Sequence, residues 1–236
     1  MFGLFNGSNN DIVDDIEAVL RPMAGMAIAK KFALHDIVGD VETWQADLES
    51  AVLLLNETEF RDIQIIGTYA FDDGTWLWAW GNQGSDFAEN IVRDSFALQR
   101  YGKENGITWL TERTFELEQD DVEAVAAVAI GIVQADGYYL AFHNAGIAVF
   151  ALRDTRLKQA LAAENPARAT VVIPKMVATF VLYRQHEAVA EYLRQAGYQI
   201  EQSENGKHIG ITVQRNGSVL KADFEDGFFR DLSAQL

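Results

Sequence analysis

The sequence predicts an α+β protein: an antiparallel four-stranded meander packed by helices over residues 1–152, then a smaller β-α-β-β-β unit over 153–236. Three observations predict it. Apolar residues recur at three- and four-residue spacing in some stretches and alternate in others. Tight-turn signals (Asp72-Asp73-Gly74, Asn205-Gly206, Asn216-Gly217) separate the alternating stretches, as hairpins require. Charge also divides the chain: residues 1–150 hold 8 Lys/Arg against 25 Asp/Glu, net −17, whereas residues 151–236 hold 11 against 10, net +1. A shift of that size suggests two units joined within 153–169, where Asn165-Pro166 reads as a helix terminator. A single α+β domain with an ordinary loop there is the other reading.

The first element is a helix. Ile12, Ile16, Val19, Leu20 and Met23 make a half-buried stripe, Asn9 or Asn10 suits the N-cap, and the early acids suit the helix dipole. Pro22 breaks or kinks it, because proline removes an internal hydrogen bond. The pattern resumes through Met26, Lys30 and Phe32. Stretches 44–47 and 51–55 read as one hairpin, and 60–71 and 75–81 as a second, together the four-stranded meander. A helix over 86–104 has a capping-box spacing at Asp86 and Glu89 and an Asn105-Gly106 end. Another, Ala-rich, covers 120–134, and strands 138–142 and 147–152 flank Asn144-Ala145-Gly146. The second unit reads as a helix over 155–163, a β-branched strand over 169–182 interrupted by Pro174, and a helix over 185–196 ended by Gly197. Strands over 198–202, 208–214 and 218–224 complete it.

The stretch Gly67-Thr68-Tyr69-Ala70-Phe71-Asp72-Asp73-Gly74-Thr75-Trp76-Leu77-Trp78-Ala79-Trp80-Gly81-Asn82 resembles the hallmark hairpin of an uncharacterised bacterial domain family. That family's pattern is Gly-Ser-Tyr, an acidic glycine turn, then Thr-Trp-Leu-Trp-Ala-Trp-Ala-Asn. The resemblance covers residues 1–150, including Trp44, the Tyr101-to-Ile107 helix end and the Ala-rich helix before Tyr138-Tyr139. This chain departs from the pattern at Gly81, where alanine is usual, and at Gln83, where proline is. The resemblance implies the fold of the first unit and no activity.

The hairpin also has a physical reading. In a strand over 75–81, Trp76, Trp78 and Trp80 project from one face. A turn of two or four residues adds Tyr69 to that face and sets Gly67 against Trp78 or Trp80; a three-residue turn brings Ile66, Thr68 and Ala70 instead. The plain expectation is a packed aromatic core, since each indole buries about 200 Å². The functional alternative is that Gly67, lacking a side chain, leaves a space walled by indoles for a flat or apolar ligand. With Asn82 beyond the strand, and Tyr138 and His143 on a neighbouring hairpin, the candidate ligand-binding residues are Gly67, Tyr69, Trp76, Trp78, Trp80, Asn82, Tyr138 and His143.

Composition excludes several chemistries. The chain of 236 residues has no Cys, so thiolate zinc sites, iron–sulfur clusters and Cys nucleophiles are ruled out, and a cytoplasmic location is expected. Its net charge of −16 argues against nucleic acid, whose phosphates require Lys/Arg clusters. No apolar run reaches membrane-helix length, and the first residues lack the basic region of a signal peptide. His35, His143, His186 and His208 show no metal-ligand spacing, and no Gly-x-Ser-x-Gly occurs. Gly81-Asn82-Gln83-Gly84-Ser85 lacks the lysine of a phosphate loop, so no cofactor or metal is expected. Glu116, Glu118, Asp120, Asp121 and Glu123 form a dense acidic run, read first as a solvated helix start. Three functional classes follow. The first is a binding module whose acidic surface steers a basic protein partner, such as a toxin or other cationic protein. The second binds a small apolar or aromatic ligand at the tryptophans. The third is an enzyme there, with His143 or a buried carboxylate as acid–base.

Overall fold

Helix α1 (Asn9–Leu20) and helix α2 (Ala24–Val38) are separated at Pro22, the break proline dictates by lacking an N–H. The computed structural model describes residues 9–82, 84–85, 87–162, 166–215 and 217–235, with side chains from residue 15 onward. The side chains of Asn9 and Asn10, one of which was expected as the N-cap, and the capping-box residue Asp86 therefore lie outside what is described. Among the described residues there are seven α-helices and three antiparallel sheets, an α+β architecture. Helix α2 lies deep in it, lined by Ala24, Gly25, Ala27, Ile28 and Ala29. The small residues let neighbours approach closely: a Cβ on Gly25 would stand 2.3 Å from Tyr192.

The expected meander over 44–81 is divided between two sheets. Strands β1 (Trp44–Asp47), β2 (Val52–Leu55) and β3 (Thr58–Arg61) form a three-stranded sheet. The stretch expected as one strand over 60–71 breaks after Arg61, where Asp62 takes a left-handed φ of 54° that interrupts the extended backbone. It restarts as β4 (Gln64–Ala70), paired with β5 (Thr75–Trp78). These two belong to a five-stranded sheet with β6 (Thr114–Glu116), β7 (Gly137–His143) and β8 (Gly146–Leu152), in the order β6-β5-β4-β8-β7.

Every residue of β8 is buried, because both faces of this sheet are covered. Ile147, Val149 and Ala151 join a core built with α1, α2 and α4 (Val122–Ile132). Ala148, Phe150 and Leu152 join a second core with β2, β3 and the start of α3 (Glu89–Asn105). An irregularity between Ile65 and Gly67 in β4 flips its alternation, so Ile66 and Tyr69 share the first face. Helix α3 ends as expected, on Gly106 at a left-handed φ of 68°.

The second unit departs from its expected order at the first strand. Residues 169–182 do not form a strand: helix α6 (Pro166–Thr179) follows α5 (Thr155–Ala162) and precedes α7 (Gln185–Gln195). Ala169, Val172, Ile173 and Met176 are buried at helical spacing, and that burial outweighs the β-branched composition. Pro166 occupies the first helical position, where its missing N–H costs nothing, and Pro174 is carried inside the helix. A four-stranded antiparallel meander does occur here, β12-β11-β10-β9, from β9 (Ile200–Asn205), β10 (His208–Arg215), β11 (Ser218–Glu225) and a further strand β12 (Phe228–Gln235). Its inner residues Ile211, Val213, Leu220, Ala222 and Phe224 belong to the same core as the tryptophans, so apolar packing runs without a gap across residue 153.

Candidate functional site

The four residues Phe71 to Gly74 form the turn between β4 and β5, which sets Tyr69 opposite Trp76 and Gly67 opposite Trp78. Trp76 and Trp78 are fully buried on one face, their rings edge to face at 5.2 Å. Trp78 stacks on Trp109 at 6.0 Å and donates its indole N–H to the Trp109 carbonyl at 3.0 Å. The space beside Gly67 is filled by the Trp76 ring itself: a Cβ there would stand 2.5 Å from that indole. The strand ends at Trp78 rather than at Gly81, and Ala79–Gly81 form a 3-10 turn. Trp80 therefore sits beyond the strand, half-buried, its amide donating to Ser95 Oγ at 3.1 Å. Ser95 in turn donates to the Ile66 carbonyl, tying α3 to the hairpin. Asn82 Oδ1 accepts the amides of Gly84 and Ser85, an Asx-type cap on the following loop.

Tyr138 and His143 do not join this group. Tyr138 is buried on β7 and donates to Glu123 at 3.2 Å, while Lys31 approaches the same carboxylate at 2.6 Å. Burial foremost, with the Glu123 charge, holds the Tyr138 hydroxyl well above its ordinary range, so it stays protonated. His143 is exposed at the end of β7, its Nδ1 accepting the amide of Ala145 in the β7–β8 turn at 3.3 Å. That turn lies against the hairpin tip, since the Phe71 amide donates to the Ala145 carbonyl at 3.0 Å.

The hairpin tip carries a feature that the tryptophan pattern conceals. Tyr69 and Phe71 lie two residues apart on the indole face, with rings 6.1 Å apart, so the aromatic surface continues outward to Phe71, which is 38% exposed. Carboxylates lie along that end, in the turn itself and on the strand paired with β5. Glu116 is paired with Thr75, and the Leu117 amide donates to the Gly74 carbonyl, which brings the acidic run of 116–121 beside Asp72 and Asp73. Among the described residues Asp72, Asp73, Glu116, Asp120 and Asp121 form no ion pair. Two neighbouring groups are shifted by burial and by nearby carboxylates. Burial raises Asp121, with Asp120 and Glu118 adding to it, and burial raises the Tyr69 hydroxyl, with Glu118 and Asp73 adding to it. Phe71, the last residue of the stretch expected as a strand over 60–71, stands instead in the turn after β4; the signal available was its i, i+2 relation to Tyr69.

Among the described residues no group of three His, Asp or Glu could hold a metal ion, and no helix is long and apolar enough to cross a membrane. The arrangement thus defines an α+β protein with a two-faced antiparallel sheet, a solid indole core and an aromatic–acidic end. The chain belongs to a family of unknown function (DUF6882), whose model matches residues 17–155. No curated protein and no solved structure matches it.

Proposed function

We propose that this protein is an interaction module that receives a basic partner on the end of the five-stranded sheet, with Phe71 as anchor and the neighbouring carboxylates as rim. The observation that carries this reading is an exposed aromatic ring in the turn that holds the unpaired Asp72 and Asp73, next to Tyr69, which feels the charges of Asp73 and Glu118, in a region of net charge −17. An arginine of the partner stacks on Phe71, and its neighbours meet Asp72, Asp73 and Glu116; the first contact is attractive through the ring quadrupole and the second through charge. A protein partner in the cytoplasm fits the absence of Cys and the acidic balance. The reading in which a flat ligand enters beside Gly67 is less favoured, because the Trp76 ring fills that space.

Calorimetric titration with a nona-arginine peptide at low and high salt tests the proposal. Binding is expected to weaken steeply with salt, and to fall by about tenfold in Phe71→Ser and in the triple variant Asp72→Asn/Asp73→Asn/Glu116→Gln. Glu104→Gln, which removes a single charge at the exposed end of α3, is the control and is expected to leave binding nearly unchanged. Equal affinity in all four proteins overturns the proposal.

A further inference from the structure

A second site lies where the family region meets the C-terminal helices. A cavity of about 400 Å³, within the size range of small-molecule pockets, opens between α2, the end of α4, α5 and α7. Its apolar walls include Met23, Met26, Ile130 and Leu161. Gly131 brings α4 close to this wall: a Cβ there would stand 2.3 Å from Met23 Sδ. Methionine walls adapt their shape to an apolar guest, because the side chain is unbranched and polarizable.

One charged side chain faces this cavity without an ion-pair partner among the described residues, and it is Lys30. The charged groups around it are already engaged. Asp136 accepts the Asp154 amide at 3.0 Å and stands 3.6 Å from Lys158 Nζ. Arg153 is held by Asp94 and by the Val133 carbonyl. Helix α7 contributes Gln195, whose amide donates to the Pro22 carbonyl. Burial dominates at Lys30 and pushes its ammonium down to about 8, with Asp136 opposing and Arg153 reinforcing the shift. A cation withdrawn from water beside apolar walls is stabilised by an anion that carries its own apolar body.

We propose that this cavity binds a small amphiphilic monocarboxylate, its carboxylate on the Lys30 ammonium and its hydrocarbon chain along Met23, Met26, Ile130 and Leu161. Bound carboxylate replaces the lost hydration of Lys30 and restores its proton affinity. Binding near pH 8 therefore takes up protons, and it weakens as pH rises further.

The test is calorimetric titration of the full chain with sodium octanoate, with acetate as the head group alone and octan-1-ol as the chain alone. Octanoate is expected to bind at least about tenfold more tightly than either, and Lys30→Met to lose about tenfold while Lys30→Arg retains most of the affinity. Titrations at about pH 8 in two buffers of different ionisation enthalpy should report net proton uptake in the wild type. Proton uptake belongs to the wild type alone, so it decides the matter even if a variant fails to fold. Octanoate bound equally by wild type and Lys30→Met, octanol bound as tightly as octanoate, or no binding from butanoate to dodecanoate would each overturn the proposal. None of these results bears on the Phe71 end, which is probed by a different ligand and different variants.

Discussion

The five-stranded sheet and the C-terminal meander are both antiparallel, yet they are built by opposite rules. In the first, helices cover one face and a second sheet the other, so β8 is buried at every position. In the second, α6 and α7 cover one face only, and β11 alternates buried Leu220, Ala222 and Phe224 with solvent-facing Lys221, Asp223 and Glu225. A doubly covered sheet makes nearly every substitution a packing event, whereas a singly covered one leaves half its residues free to vary. Trp76 and Trp78 occur in the first kind of sheet, at positions where two large rings must be enclosed.

The sharpest way to break this comparison is Trp78→Ala. It removes a fully buried ring that touches Trp76, Trp109 and Phe115, and is expected to cost about 4 kcal/mol in denaturant unfolding. A loss below about 1 kcal/mol would mean that the sheet is not the packed element described.

Next in size is a gain, where the two regions meet. The Lys30 ammonium is lowered from its ordinary 10.5 to about 8, so the folded protein releases this proton before the unfolded chain does. Its cost to stability is full below pH 8, shrinks as pH rises, and is gone above 10.5. Lys30→Met is therefore expected to stabilise by about 3 kcal/mol at neutral pH, and the gain should vanish in alkaline melts. A variant less stable than the wild type at neutral pH would contradict the burial of that charge.

Ser95→Ala comes third. It leaves the Ile66 carbonyl and the Trp80 amide without their shared hydroxyl, at a cost of about 1–2 kcal/mol. The smallest effect belongs to the open face of the meander. Gln214→Val, exposed on β10, is expected to change stability by less than about 0.5 kcal/mol, and a larger loss would show that this face is covered after all.

Legibility in the sequence followed the same division. The C-terminal hairpins could be read because alternation and glycine turns coincide there, as at Gly206 and Gly217 with φ of 62° and 86°. The shared face of Trp76 and Trp78 was legible from period two, whereas the Tyr69–Trp76 register was one of the alternatives that the turn length left open, and the four-residue turn selects it. Sheet membership was not: strands 44–61 and 64–78 look alike, and only long-range pairing of β4 with β8 separates them. Helix α6 was misread because Thr170-Val171-Val172-Ile173 speaks for a strand locally, while Ala169, Val172, Ile173 and Met176 speak for a helix once there is a core to pack on. The exposed Phe71 and the withdrawn Lys30 depend on which neighbours surround them, although a lysine continuing the stripe of Met23 and Met26 was a visible irregularity.

The clustering of the indoles gives the molecule an internal reporter. Of its five tryptophans, Trp76, Trp78 and Trp109 touch in sequence, Trp80 sits at their margin, and Trp44 stands apart with its N–H on the Phe142 carbonyl. Rings this close and held at fixed angles couple optically, so near-ultraviolet circular dichroism reads the integrity of the central sheet without any attached label. Fluorescence of Trp44, isolated by replacing the others with phenylalanine, would watch the rim of the neighbouring sheet as a separate channel.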